Sequence, residues 1–230
     1  MRIYIIRHAD PDYKNNTITD RGHLESRALA KRMAKEGLHQ IYSSPMGRAM
    51  HTMQYTAEVT GLKPVIEDWL HERVEWALAP DKMPWDVPGE YIRAHEPFPT
   101  RENWHETPPF TNPAMKQDFD EIRKCSDTFF ASKGYEREGG RYRCVRPNRD
   151  RIAVFCHGGF GLCWLSQLLE IPLPIFWSGF WMPPSSVTTV LFDERSTEWA
   201  VPRCIGVSDV SHLYAEGLSI SPRGIKANFD

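Results

Sequence analysis

Two short apolar runs each end in a histidine. Ile3-Tyr4-Ile5-Ile6 leads into Arg7-His8-Ala9, and Ile152-Ala153-Val154-Phe155-Cys156 leads into His157-Gly158-Gly159. Between them, Arg48 follows Ser43-Ser44-Pro45 in what reads as the first turn of a helix. Two arginines, two histidines, a helix N-terminus and a glycine-rich turn make a dense set of donors for a tetrahedral oxyanion, and a phosphoryl group is its natural occupant. Arginine's planar fork binds phosphate oxygens in pairs, and N–H groups at helix starts add partial positive charge without a metal. An imidazole held neutral on one nitrogen can attack phosphorus and pass the phosphoryl group on to water or a hydroxyl. His8 fits that role. The departing alkoxide or aryloxide needs a proton, for which Glu72 in Leu70-His71-Glu72-Arg73 is the first choice, with Asp68 and Glu75 as rivals.

These groups work together only if the chain brings them to one place. The two apolar runs read as buried parallel strands, and open α/β sheets place their ligands at the carboxyl edge where such strands end. Thr19 suits the N-cap of a helix to about Lys35, with Gly37 at its C-terminal cap and Leu24, Ala28, Leu29 and Met33 on its apolar stripe. Gln40–Ser43 reads as a strand, then Ser44 as N-cap and Pro45 as first residue of a helix that Gly61 stops. Met115, Phe119, Ile122, Cys125 and Phe129 mark another amphipathic helix, Gly134–Arg149 a loop or hairpin, and Ser186–Phe192 and Glu198–Pro202 late strands. From Trp76 to about Pro113, prolines and tryptophans interrupt every periodicity; so long an aromatic loop reads as a packed lid or substrate-binding insertion. The expectation is one domain over residues 1–230, a three-layer α/β/α sandwich with a mostly parallel sheet and a lid at about 76–113.

The ordered motifs resemble the histidine phosphatase superfamily, the group that includes cofactor-dependent phosphoglycerate mutases and many small-molecule phosphatases. Its R-H-G signature appears as Arg7-His8-Ala9, its L-T-x-x-G element as Ile18-Thr19-Asp20-Arg21-Gly22, and its S-S-P-x-x-R-x-x-x-T element as Ser43 to Thr52. Leu70-His71-Glu72 matches the family's L-x-E carboxylate and His157-Gly158-Gly159 its second histidine. The resemblance implies His8 as the phosphorylated residue, Arg7, Arg48 and His157 as phosphate ligands, Glu72 as proton donor and acceptor, and no metal. Gly158 and Thr19 join the expected phosphate-binding set. Ala9 replaces the usual glycine, and Val74-Glu75-Trp76 stands where a G-x-W-E-G stretch often follows the acid. The mutase-like continuation after the first histidine is also missing, which argues against glycolytic mutase activity.

Composition narrows the partners. The 230 residues are 41% hydrophobic and 25% charged with a net charge of -2, so no global basic field favours nucleic acid or an acidic membrane. No apolar run has the length of a signal-peptide core or membrane helix, and the five scattered cysteines read as reduced thiols, which together suggest a cytoplasmic protein. The other histidines lack metal-ligand spacing, and no cofactor is called for. The basic stretch Arg137 to Arg151 reads either as a solvated loop or as a contact for an anionic substrate tail. The expected partner is a small-molecule phosphomonoester, hydrolysed without a metal. A phosphotransfer mutase and a non-catalytic phospho-ligand binding protein are the alternatives; oligomeric state, homodimer included, stays open.

Overall fold

A computed structural model describes residues 1–229. The chain runs β1 (Arg2–Arg7), β2 (Pro11–Asp12), β3 (Thr17–Ile18), α1 (Asp20–Glu36), β4 (Gln40–Ser43), α2 (Gly47–Thr60), β5 (Val65–Ile66), α3 (Gly89–Arg93), α4 (Pro113–Ser132), β6 (Tyr135–Glu138), β7 (Arg141–Cys144), β8 (Arg151–Cys156), α5 (Gly158–Leu168), α6 (Leu173–Gly179), β9 (Val187–Asp193), β10 (Trp199–Asp209) and α7 (Ser211–Ala215). Eight strands form one mixed sheet in the order β5-β4-β8-β1-β9-β10-β7-β6. Its first four strands are mutually parallel, and antiparallel strands extend it from β9 onward.

Alternation along β1 explains the three layers, because successive side chains on a strand point to opposite faces. Tyr4 and Ile6 join Leu29 and Met33 of α1 and Met53 of α2 in one core. Ile3 and Ile5 join Met115, Phe119, Ile122, Phe129 and Phe130 of α4, together with α5 and α6, in the larger core on the other face. A strand covered on both faces must be apolar throughout, as the interiors of β1 and β8 are.

The helix signals held in α1, where Thr19 Oγ1 accepts from Gly22 N and Gly37 closes the helix at φ 65°. Leu24 does not lie on its buried stripe and is 48% exposed. In α2 the expected cap is displaced. The helix begins at Gly47, and Met46 holds the cap position without a side-chain bond. Ser44 sits two residues upstream in the turn, where its hydroxyl serves a histidine. The Gly134–Arg149 stretch is the β6–β7 hairpin, and the last strand runs to Asp209, well past the expected Pro202. Between Trp76 and Pro113 the chain makes short 3-10 turns and α3, pinned by the buried Trp76, Ile92, Trp104 and Phe110. Among the described residues, no helix is long and apolar enough to cross a membrane.

Candidate active site

The register of the sheet sets the two histidines side by side. β1 and β8 pair in parallel with Arg7 opposite Cys156, so His8 and His157 leave neighbouring strands at the same edge. Their ring centroids lie 5.2 Å apart. β4 flanks β8 on its other side, with Ser43 opposite Phe155, and delivers Ser44 and the start of α2 to that edge. Ser44 Oγ lies 2.8 Å from His157 Nε2.

Hydrogen bonds fix how each ring is presented. His8 Nδ1 lies 2.8 Å from the carbonyl oxygen of Ala9, a contact that only a protonated Nδ1 can make as a bond. The neutral ring therefore carries its lone pair on Nε2. Burial first, then Arg7 and Arg48, push the His8 imidazolium well below its ordinary range, so the neutral form prevails. For His157 the causes are burial, then His8 and the two arginines. Ser44 Oγ, which accepts from Met46 N at 3.2 Å, is also bonded to His157 Nε2, a contact that either group can donate. Thr52 ties the loop down: its hydroxyl accepts from Ala9 N at 2.9 Å and donates to Arg48 O at 2.8 Å.

Both arginines are buried and partly engaged. Arg7 Nη1 donates to the carbonyls of Met182 at 2.6 Å and Arg223 at 3.1 Å. Arg48 Nη1 donates to Asn16 Oδ1 at 3.1 Å, and its guanidinium lies over the Tyr13 ring at 5.5 Å. The Nε atoms of both arginines and Nδ1 of His157 are buried with no hydrogen-bond partner. Buried donors are nearly always satisfied, so the two arginine Nε–H groups, on side chains that line the same cavity as His8, are donors in want of an acceptor.

Glu72 completes the cluster. Its Oε2 accepts from Gly159 N at 3.0 Å and its Oε1 from Phe160 N at 2.6 Å, which places the carboxyl group against the N-terminus of α5. Burial raises its pKa above the usual carboxylate value; Arg48 and the two backbone donors oppose that rise. The rival carboxylates Asp68 and Glu75 are exposed to solvent. Arg7, His8, Arg48, Glu72 and Gly158 all line one cavity of about 1100 Å³, whereas His157, fully buried beside His8, does not line it.

Thr19 stands apart from this set. Its hydroxyl donates to Asp10 Oδ2 at 2.7 Å and accepts from Gly22 N at 3.1 Å, and it does not line the cavity. The expectation that it binds phosphate is corrected: the L-T-x-x-G element builds the helix start that carries the loop. Thr19→Ala is expected to lower stability by about 1 kcal/mol, the usual cost of a lost N-cap, while leaving inorganic phosphate affinity within twofold. Chemical denaturation and titration calorimetry check the two halves. The basic stretch also lies away from the cavity, with Arg137 paired to Asp127 and Glu170 and Arg143 to Glu138 and Glu198.

Asn16 falls near the pocket in the sequence reading, but its bond to Arg48 was not foreseen, nor were two further contributors. Ser44 bonds His157 Nε2, and residues 224–227 return from the far end of the chain to line the cavity. That return is anchored by Ser221 on Asp10 and by Arg21 on Ser219. Gly224 packs on Arg7, where an added Cβ would sit 2.7 Å from Nη2.

Three relatives are similar to this chain. A Hydrogenobacter thermophilus protein assigned as a phosphoserine phosphatase is 30% identical over 80 residues, 31% of this chain and 39% of that one. A Serratia proteamaculans protein assigned as a phosphoglycerate mutase is 26% identical over 103 residues, 37% of this chain and 47% of that one. The chain thus matches about two fifths to half the length of these curated relatives. The solved structure of a mycobacterial glucosyl-3-phosphoglycerate phosphatase with inorganic phosphate superposes at a TM-score of 0.62 and 20% identity, covering 92% of this chain and 98% of that one. It shares the fold. The model of the histidine phosphatase superfamily, branch 1, matches residues 3–204, from the first residues of β1 into β10, and the chain belongs to that superfamily.

Proposed function

We propose that this protein is a phosphomonoester hydrolase working through a phosphohistidine on His8. The observation that carries the reading is the one cavity lined by His8, whose lone pair is on Nε2, by Glu72, and by Arg7 and Arg48, each with a buried Nε–H that has no partner. A phosphoryl dianion beside His8 would take bonds from the Arg7 and Arg48 guanidiniums, whose Nε–H groups have no other partner. His8 Nε2 then attacks phosphorus as the ester P–O bond breaks, and Glu72 gives its proton to the departing oxygen. In the second half, water attacks the phosphohistidine, Glu72 takes the water proton, and inorganic phosphate leaves with His8 restored. The 76–113 segment, which sets Trp85 and Val87 at the cavity wall, acts as a fixed cap that keeps bulk water from the reacting atoms.

Phosphate release from p-nitrophenyl phosphate in a metal chelator tests this reading. Sustained turnover supports it; tight phosphate binding without turnover favours a phospho-ligand binding protein.

The pH profile follows from the two shifted groups. A Glu72 raised above the usual carboxylate range keeps its catalytic proton at mildly acidic pH and loses it as pH rises through the raised value. The depressed His8 stays neutral as pH falls, so the nucleophile sets no limit near neutrality. For an alkyl phosphate, kcat/KM, which reports the phosphorylation step, is expected to fall about tenfold or more between mildly acidic pH and pH 8. In Glu72→Gln that decline disappears. A native kcat/KM that climbs through neutrality would contradict the assignment.

A further inference from the structure

Away from the phosphate cluster, the character of the cavity changes. At about 1100 Å³ it slightly exceeds the roughly 300–1,000 Å³ typical of small-molecule sites, so a phosphoryl group fills only one end. The rest of the wall is dominated by Met83, Trp85, Leu162, Trp177, Phe180 and Trp181. Gly159 makes this arrangement possible, since Trp85 packs against it so closely that any Cβ would collide with the indole. Trp85 in turn stands edge-on to Trp177 at 5.9 Å between centroids.

Among the described residues, the single cation lining this outer part is Lys226. It is already engaged: its Nζ lies 2.9 Å from Asp86 Oδ2 and donates to the carbonyl of Asp81 at 2.8 Å. Asp81 and Asp86 also line the cavity, so its outer part has two carboxylates to one ammonium. A ligand carboxylate laid against the aromatic wall would lose hydration there, with the nearest ammonium at the solvent-exposed rim and already paired, whereas an aromatic or aliphatic group would bury apolar surface against indole and phenyl faces.

We infer that the ester cleaved at this site joins phosphate to an uncharged, apolar alcohol, with the aromatic wall selecting the alcohol and the Asp86–Lys226 pair excluding a second anion. The inference rests on the phosphatase reading for its chemistry, while the selectivity itself is a property of binding.

The test therefore starts from binding. Titration calorimetry on the native protein compares two non-hydrolysable phosphonates of equal chain length, 3-phenylpropylphosphonate and 3-carboxypropylphosphonate. The phenyl compound is expected to bind at least about 30-fold more tightly. Affinities within threefold, or the reverse order, would overturn the inference. Asp86→Asn frees Lys226 and is expected to improve the carboxyl compound about fivefold or more, with the phenyl compound changed by less than about twofold. An unchanged carboxyl affinity would overturn the role given to the pair. Turnover of 2-phenylethyl phosphate against 3-phosphoglycerate then separates this claim from the reading beneath it. Selective binding with no hydrolysis of either ester upholds the preference for an apolar group but removes the phosphatase reading and with it the claim about the ester cleaved; hydrolysis that favours 3-phosphoglycerate upholds the phosphatase reading and overturns the inference. Failure of both phosphonates to bind removes both.

Discussion

His8→Ala is expected to lose on the order of 10⁴-fold or more of turnover, the scale on which removal of a covalent nucleophile acts. That is about 5 kcal/mol of transition-state stabilisation. The loss is chemical rather than structural, because the groups that hold phosphate do not depend on the imidazole. Arg7 is fixed by Met182 and Arg223, and Arg48 by Asn16. Inorganic phosphate should therefore still raise the thermal midpoint of the variant, as expected for any ligand that binds only the folded state. The one bond given up is that from His8 Nδ1 to the Ala9 carbonyl. Steady-state kinetics with p-nitrophenyl phosphate and a melting curve with and without phosphate check both parts. Turnover within tenfold of native would show that the nucleophile is elsewhere.

Glu72→Gln is expected to lower kcat by about 10²–10³-fold for alkyl phosphates, whose alkoxides cannot leave without a proton. For aryl phosphates with acidic phenols the loss should shrink to about tenfold. This dependence on the leaving group separates proton donation from the second task Glu72 performs. Both its oxygens accept backbone N–H bonds at the start of α5, from Gly159 and Phe160. A glutamine offers one oxygen and one NH₂, so one of these donors would face another donor, at a cost of about 1–3 kcal/mol. The variant should thus melt several degrees lower. A purely structural Glu72 would give the same fractional loss for every leaving group.

The convergence of the two arginines and two histidines was legible because each of them sits within a few residues of a strand end or helix start. Arg7 and His8 follow β1, His157 and Gly158 follow β8, and Arg48 lies in the first turn of α2. Local pattern fixes such positions, and the parallel pairing of β1 with β8 does the rest. Ser44 was misread since serine before proline is a strong cap signal, and nothing local shows that its hydroxyl is claimed by His157, 113 residues away. Thr19 was assigned both as cap and as phosphate ligand; one hydroxyl already bonded to Asp10 and Gly22 has no capacity left for the second task. The return of residues 219–227 over the site had no signal at all. Its anchors, Ser221 on Asp10 and Arg21 on Ser219, join opposite ends of the chain through single polar contacts, which leave no periodicity to read. The aromatic wall was half legible: the tryptophans around 76–104 announced a packed segment, but which of them turn inward to the core and which face the cavity is set by tertiary packing.

The most direct test is to denature the native protein in alkali during turnover of p-nitrophenyl phosphate and map the bound phosphate by mass spectrometry. Phosphohistidine survives alkali and is lost in acid, so the quench preserves it. The expected result is one phosphoryl group per chain on the peptide that carries His8, absent in His8→Ala and accumulating more in Glu72→Gln when the leaving group is a good one. Phosphate on another residue, or turnover with no phosphorylated protein under conditions where product release shows a burst, would contradict the His8 mechanism.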